Sequence, residues 1–475
     1  MYEGLARFDG IDVRFNHRLT GITDHGDHVE VDIQIGGGGA DGQADLAESG
    51  GEAATGSTKL TARYLVGTEG GRSFTRGWMG VTFEGQSPVH PLGRGRRPQR
   101  PAGPAERVPG ADPARPYVSI GLPHGIRRWE FMLFDDEPSE KVEDDAFVAE
   151  LLKEHVPDSS KLDVIRRRVF THHGRIAGNF RKGNVMIAGD AAHLMPVWMG
   201  QGWNSGMRDA TNLAWKLATV LRGDATEQLL ETYTAERHEH AKAMIDLSMT
   251  FGTIIKPTDK VIAGLRDGLS KVLNLSPQIK EYFTDMRFKP MPRYSTGVVV
   301  NADSLEPGRS DAKRASRFMT VRNAVDKITP VGKQFIQPRV RTAQHDNALL
   351  DDVIGPWWSV LVWGGNDPAL LFNEQDRQTL DRLGFRLVAL VSETQRDWAE
   401  KEYAGSGSLV IGDVDGSLKG WFDTRAYGMV FLRPDRFVAA ACLSQVGPRG
   451  AAGTAHLDER VPPGTGRRAL IRRRI

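Results

Sequence analysis

The stretch Gly183–Leu217, GNVMIAGDAAHLMPVWMGQGWNSGMRDATNLAWKL, decides the fold. Val185-Met-Ile-Ala188 is wholly apolar and ends at Gly189, the pattern of a short strand covered on both faces. From Met207 to Leu221, the residues Ala210, Leu213, Ala214, Leu217 and Leu221 recur at helical spacing and predict a helix with one buried face. Between the two lie a Gly-Asp turn and a glycine-spaced loop. Asp190, just past a strand end, is placed to accept hydrogen bonds from ligand hydroxyls. Gly200-Gln201-Gly202 lets backbone approach a flat ligand that larger side chains would fend off. The helix entered near Asn204–Met207 offers unpaired N–H groups and the positive end of its dipole. A site of that shape suits an anionic or electron-rich ring system.

Outward from this stretch, Val29–Ile35 alternates apolar and polar residues and predicts a half-exposed antiparallel strand. Within Leu60–Glu69, the run Tyr64–Val66 suits a buried strand. Tyr117–Leu122 and Arg128–Phe134 flank Pro123-His124-Gly125 as a hairpin. Leu229–Met249 predicts a second, longer helix carrying charges. An α/β pattern begins near Leu349, with strands at Trp358–Trp363, Phe385–Val391 and Gly428–Arg433. A boundary near residue 340 follows, separating a core at 1–340 from a domain at 341–446 and a basic, disordered tail at 447–475. Glycine is over-represented, at 53 of 475 residues, and the excess gathers in three segments that read as irregular: Gly36–Thr58, Val89–Pro116 and the tail from Gly447.

Lys plus Arg total 62 and Asp plus Glu 60, a formal charge of +2. That balance argues against a nucleic-acid or polyanion binder. The single cysteine, Cys442, excludes an internal disulfide or a cysteine metal cluster and reads as a small buried hydrophobe. No apolar run approaches the roughly 20 residues of a membrane span. The first residues lack a signal-peptide pattern, so a cytoplasmic, multi-domain enzyme is expected.

The string GDAAHLMPVWMGQGWNSGMRDATNLAWKL resembles the second flavin-binding motif of FAD-dependent aromatic hydroxylases, the para-hydroxybenzoate hydroxylase-like monooxygenases. Its fixed positions are filled by Gly189, Asp190, Ala191, Ala192, His193, Pro196, Gly200, Gly202, Asn204, Gly206, Asp209, Ala210, Asn212, Leu213, Trp215, Lys216 and Leu217. RPYVSIGLPHGIRRWEFML, RHEHAKAMIDLS and MRFKPMP are similar to the branch of that family acting on 3-(3-hydroxyphenyl)propionate and 3-hydroxycinnamate. The resemblance implies an FAD/NAD(P)-binding monooxygenase fold with an antiparallel substrate sheet. It also implies a C-terminal thioredoxin-like domain without a redox CxxC. It implies FAD held by Gly189–His193, with Asp190 at the ribityl or phosphate region, and Pro196 and Gly200, Gln201, Gly202 and Asn204 lining the isoalloxazine. Glu69-Gly70 falls where the family has an Asp-Gly touching FAD and the nicotinamide cofactor. The implied chemistry is NADH reducing FAD, followed by O2-dependent hydroxylation of a small phenolic acid ortho to its phenol. A homo-oligomer is compatible with it. Two alternatives stay open: a non-catalytic remnant that binds no flavin alone, and a related hydroxylase with another phenolic substrate.

The family opens with a Rossmann βαβ unit, and this chain lacks it. Gly37, Gly39 and Gly42 spell G-x-G-x-x-G, but an alternating strand precedes them and no apolar-faced helix can follow. The expectation is a chain that starts late in the family pattern, without the AMP half of the FAD site. The Arg/Pro/Gly/Ala-rich segment from Val89 to Pro116 reads as a local frameshift in a GC-rich gene, with a second in the tail. Resequencing that finds an unchanged frame would overturn this.

Other constellations read as structural. His238-Glu239-His240 is expected on a solvated helix face rather than on a metal, because i, i+2 spacing divides its histidines. His172-His173 would point to opposite faces of a strand. His193 reads as structural, while Trp198 and Trp203 read equally as pocket walls or core. Arg127, Arg128 and Arg208 are candidates for a substrate carboxylate, since a guanidinium binds one bidentately. Exposed arginine is the commoner reading of all three.

Overall fold

Helices and strands mix along the chain, with runs of antiparallel strands in its first part and buried strands alternating with helices in its last, and the chain is α/β. The computed structural model describes residues 2–36, 56–86, 92–93, 107–165, 167–196, 198, 200–284, 289–300, 329–425 and 427–442. The Gly37–Gly42 string, much of the Gly36–Thr58 and Val89–Pro116 segments, and the tail lie outside these residues. The chain forms two compact units, residues 1–207 with 244–287 and residues 208–243 with 288–475. It passes between them three times, inside the helices Gly202–Leu221 and Gln228–Ile255 and again after residue 287.

In the first unit, His17–Asp24, Val29–Ile35 and Gly56–Ala62 form an antiparallel sheet, and alternation buries Val29 and Val31. Leu65–Gly67 pairs in parallel with the buried strand Val185–Ile187, registering Ile187 against Gly67. This parallel pair delivers Glu69-Gly70 and Gly189-Asp190 from strand ends on the same side, since parallel strands finish together. An antiparallel sheet holds Leu92–Gly93, Arg127–Met132, Tyr117–Gly121 and Arg107–Gly110 in that order. Its expected hairpin closes through His124 and Gly125, both left-handed at φ 61° and 70°. Arg107–Gly110 departs from the irregular reading of its segment. It pairs with Tyr117–Ile120 as an edge strand, where the missing N–H of Pro109 is tolerated.

In the second unit, seven strands order as Ala348–Leu349, Arg339–Arg341, Leu409–Asp413, Arg386–Ser392, Ser359–Trp363, Met429–Leu432 and Val438–Cys442. Ser359–Trp363, Arg386–Ser392 and Leu409–Asp413 run parallel, linked by helices Glu374–Arg382 and Arg396–Glu402. Their apolar runs are continuous because both faces are covered. Leu361, Val388 and Ile411 enter one core, while Val360, Val362 and Phe431 enter another. Cys442 ends the last strand, and burial pushes its thiol up to about 11.

Candidate functional site

The strand ends of the first unit position the predicted residues. After Val185–Ile187, Gly189 turns left-handed at φ 60° and Gly206 of the following helix lies against it. A Cβ on Gly206 would sit 3.2 Å from the Gly189 Cα, tight enough to push turn and helix slightly apart, while Gly189 itself is favoured by its left-handed backbone. The helix starts at Gly202, five residues earlier than its apolar periodicity indicates. Its first residues are placed by this close approach rather than by an apolar face.

Asp190 is exposed, and its Oδ1 lies 3.9 Å from where a Cβ on Gly202 would stand. Among the described residues its carboxylate has no hydrogen-bond or ion-pair partner. Flanking protein raises its pKa by desolvation, against a smaller opposite influence of His193. An exposed acceptor, unpaired among the described residues and beside the first turn of a 20-residue helix, is chemically able to take a hydrogen bond from a donor outside the fold.

Glu69 and Gly70 leave the neighbouring strand. Gly70 is left-handed at φ 83°, and the Glu69 carboxylate accepts from Ser73 Oγ at 2.8 Å, Thr75 N at 3.1 Å and the Thr75 hydroxyl. Burial works to raise its pKa, but these hydrogen bonds outweigh it and hold the group below the usual range. Glu69 therefore braces the start of helix Phe74–Met79, which Ser73 caps. Arg76 on that helix donates through Nη1 to the Ala191 carbonyl at 2.8 Å and through Nη2 to the Gly71 carbonyl at 2.6 Å. Its guanidinium lies 3.8 Å over the Phe83 ring. Arg76 thus ties the Glu69–Gly71 loop to the Gly189–Ala191 turn. Sequence reading missed it, because no local pattern announces a partner 115 positions away.

Ala191, Ala192 and His193 are buried. His193 pairs with Ile176 across a short strand, and its ring lies 5.9 Å from Phe180. Pro196 is buried and its carbonyl accepts from Ser248 Oγ at 2.8 Å. Gly200 is left-handed at φ 61°; Gln201 accepts from Asn204 Nδ2 at 3.3 Å and, through its carbonyl, from Ser205 N at 2.9 Å. The two tryptophans divide. Trp198 is core, packed with Val118 and Ile255 and 4.9 Å from the His172 ring, whereas Trp203 is 63% exposed. Arg127 donates to Ser119 Oγ at 2.9 Å, and Arg128 pairs with the buried carboxylate of Glu130.

The back of the same stretch is built differently. In the second unit, Asp209 pairs with Arg237 Nε at 2.8 Å, both buried. Lys216 Nζ donates to Asn212 Oδ1 and to Glu236 Oε2, each at 2.8 Å. Arg433 grips Glu236 with Nη1 at 2.9 Å and Nη2 at 2.7 Å, and holds Asp435 Oδ2 at 2.7 Å. The Val298 N–H donates to Glu236 at 2.7 Å. Gly297, left-handed at φ 92°, is needed there, since a Cβ would meet Glu236 Oε1 at 2.3 Å. Burial pushes Lys216 down to about 8 despite Glu236. Glu236 is held far below the carboxylate range because Arg433 and Lys216 outweigh its burial. His240 corrects the solvated-face reading: Glu239 is exposed, but His240 is buried with Nδ1 3.2 Å from Arg237 Nη1.

Two family profiles match the chain. One, described as an FAD binding domain, covers residues 1–248, and the other, described as the HcaD C-terminal domain, covers residues 332–456. The 3-(3-hydroxy-phenyl)propionate/3-hydroxycinnamic acid hydroxylase of Mycobacterium avium (strain 104) is 46% identical over 445 residues, covering 94% of this chain and 71% of that protein. The protein of the same name from Paraburkholderia xenovorans (strain LB400) is 41% identical over 469 residues, covering 94% and 72%. Among solved structures, the flavin-dependent monooxygenase PieE in complex with FAD and substrate aligns with a TM-score of 0.65 at 19% identity, over 94% of this chain and 76% of that one. OxyS anhydrotetracycline hydroxylase from Streptomyces rimosus aligns with a TM-score of 0.63 at 22% identity, over 94% and 75%. At such identities the two structures speak for a shared fold.

Proposed function

The chain belongs to the FAD binding domain family of flavoprotein aromatic hydroxylases, and from that premise we propose that it hydroxylates 3-(3-hydroxyphenyl)propionate and 3-hydroxycinnamate ortho to the phenol. The balanced reaction takes phenol, O2, NADH and a proton to the 2,3-dihydroxy product, NAD+ and water. Membership brings FAD, an aromatic substrate and O2; the individual substrates, NADH and the ring position are the proposal. The observation that carries it is the 46% identity, over 94% of the chain, to a hydroxylase named for those acids.

The residues present fit the ribityl and ring portions of FAD. Gly189 and Gly206 meet backbone to backbone, and beside them Asp190 supplies an exposed acceptor that is unpaired among the described residues. Bound FAD supplies the electron transfer and oxygen activation that side chains cannot perform. Asp190 would accept from a ribityl hydroxyl, while the first turn of the helix from Gly202 would direct N–H groups at the electron-rich edge of the ring. Arg76 holds the two strand-end loops at a fixed separation, which preorganises them. His193, buried and strand-paired, keeps the turn in place rather than exchanging protons with substrate. We assign the antiparallel sheet of Tyr117–Gly121 and Arg127–Met132 to the substrate side.

The test is the visible spectrum of the purified chain after incubation with FAD and gel filtration, then NADH oxidation with a phenolic-acid panel and identification of the product. A protein-shifted flavin and a 2,3-dihydroxy product are expected. Release of all flavin would overturn the reading that this chain alone forms the site, and faster turnover of another phenol would overturn the substrate.

A further inference from the structure

Helix Lys260–Leu273 of the first unit, with the turn after it, leaves Val261, Ile262, Leu265, Leu269, Val272 and Leu275 between 53% and 82% exposed. The helix is nonetheless well made. Asp259 caps its start, accepting from the Val261 and Ile262 N–H groups at 2.9 and 3.0 Å. Another side holds it to the unit: Ala263 is buried, and Arg266 donates through Nη2 to the Ala111 carbonyl at 2.6 Å. At helical spacing, Val261, Ile262, Leu265, Leu269 and Val272 fall within an arc of about 100°, the width of a face that ordinarily packs on a core. Ala263 and Arg266 lie outside that arc, so the apolar face is turned to water.

We propose that this face is the contact between two copies of the chain, packed helix against helix about a two-fold axis. Area, shape and charge all favour a second copy. The six side chains leave on the order of 600 Å² of apolar surface to water, the upper end for the largest patch of an ordinary monomer. A standard interface takes about 800 Å² from each partner, little more than half of it apolar, so this face meets the apolar need by itself. In shape, Val261, Leu265 and Leu269 form an i, i+4 ridge. Gly264 and Gly268 alongside leave a groove, with nothing within 4 Å of a Cβ built at either. A surface carrying both ridge and groove is complementary to itself, as a two-fold contact requires. In charge, the flank of the helix carries Lys260, Asp267 and Lys271, and so both signs. An antiparallel pairing centred near Leu269 sets Leu265 of each copy against Val272 of the other. It also brings Asp267 of each toward Lys271 of the other, a match repeated on both sides of the axis. A lipid surface would instead favour a polar side rich in cations alone.

The contact does not depend on the reaction proposed above, since neither flavin nor substrate enters it. The experiment is sedimentation equilibrium of the full chain across a wide concentration range, in wild type and Leu265→Glu. It is joined by oxidative cross-linking of Leu269→Cys and Ser270→Cys. Wild type should form a dimer, and Leu265→Glu should weaken the association at least about tenfold with unchanged circular dichroism, because the side chain it replaces is exposed. Leu269→Cys, close to the axis, should link two chains through a disulfide. Ser270→Cys, turned away from the apolar arc, should not, and the native thiol of Cys442 is buried. The cross-linking pair decides the matter even where Leu265→Glu misfolds. A wild type that is monomeric at every concentration would overturn the proposal, and its flotation with phosphatidylglycerol vesicles would reassign the face to lipid. A dimer that a folded Leu265→Glu leaves intact, or equal cross-linking at 269 and 270, would place the contact elsewhere and overturn it as well.

Discussion

Residues Gly189–Asn204 and Asp209–Leu217 adjoin in one stretch of sequence, yet the first leaves the Asp190 carboxylate exposed while the second turns its charged side chains onto buried partners. The Asp190 carboxylate is unpaired among the described residues, and Gly189 meets Gly206 backbone to backbone. A few residues on, Asp209, Asn212 and Lys216 are fully buried, each hydrogen-bonded to a charged partner from a distant part of the chain. What resembles one cofactor motif is thus two arrangements in series, an open turn that we propose as the ligand cradle and a buried anchor for the fold. Substitutions in the two halves should fail in different ways.

The largest effect is expected at Glu236→Ala. It strands Arg433 and Lys216 as buried, under-compensated charges, and removing one partner of such a set costs about 3–5 kcal/mol. Chemical unfolding checks this, and a loss below about 1 kcal/mol would break the contrast by showing the anchor to be dispensable. Next comes the acid limb of stability. The folded pKa of His240, about 3, lies below the unfolded value near 6.5, so the folded state binds fewer protons between those values. Its contribution is complete above pH 6.5 and falls away as pH drops toward 3, by up to about 1.4 kcal/mol per pH unit. In His240→Gln, wild type's loss between pH 6.5 and 5 should shrink by about 1–2 kcal/mol; parallel pH profiles would refute this.

In the cradle, Gly206→Ala puts a methyl 3.2 Å from Gly189, with a cost of about 1–2 kcal/mol and a matching loss of flavin affinity. Stability and FAD titration read together check it, and unchanged FAD affinity would count against the close approach as part of the site. The smallest change in stability belongs to Asp190→Asn, within about 0.5 kcal/mol, since among the described residues none is hydrogen-bonded to that carboxylate. Its FAD affinity should nevertheless fall about tenfold, the worth of one hydrogen bond to a charged acceptor. A destabilised apoprotein with normal FAD binding would invert the comparison.

Local chemistry made part of this legible in advance. Val185–Ile187 announced itself by an unbroken apolar run stopped by glycine, and the hairpin at Pro123–Gly125 by its turn residues. The parallel strands at 359–363, 386–392 and 409–413 belong to an α/β pattern of buried runs and helices. Long-range pairings were not legible. The bonds of Arg76 to Ala191 and of Arg433 to Glu236 span 115 and 197 positions, and an arginine looks the same in sequence whether solvated or buried. Glu69 carries a usable signal, since Ser73 and Thr75 follow within one helical start, and an acid at that position suits bracing a helix start as well as touching a ligand. Arg107–Gly110 escaped because an edge strand accepts a proline that a central strand would reject.

The meeting of five donors on Glu236 also bears on how such a sequence can change over generations. Lys216, Arg433 and Asp435 are chemically interchangeable with apolar residues only as a set, because any one of them lost alone leaves a neighbour charged and dry. Drift at these positions must then proceed by simultaneous or tightly ordered replacements. Asp190, which has no such dependants, can be tried in other chemistries one substitution at a time. The same stretch of chain therefore joins a region locked by mutual dependence to one left free to acquire new ligands.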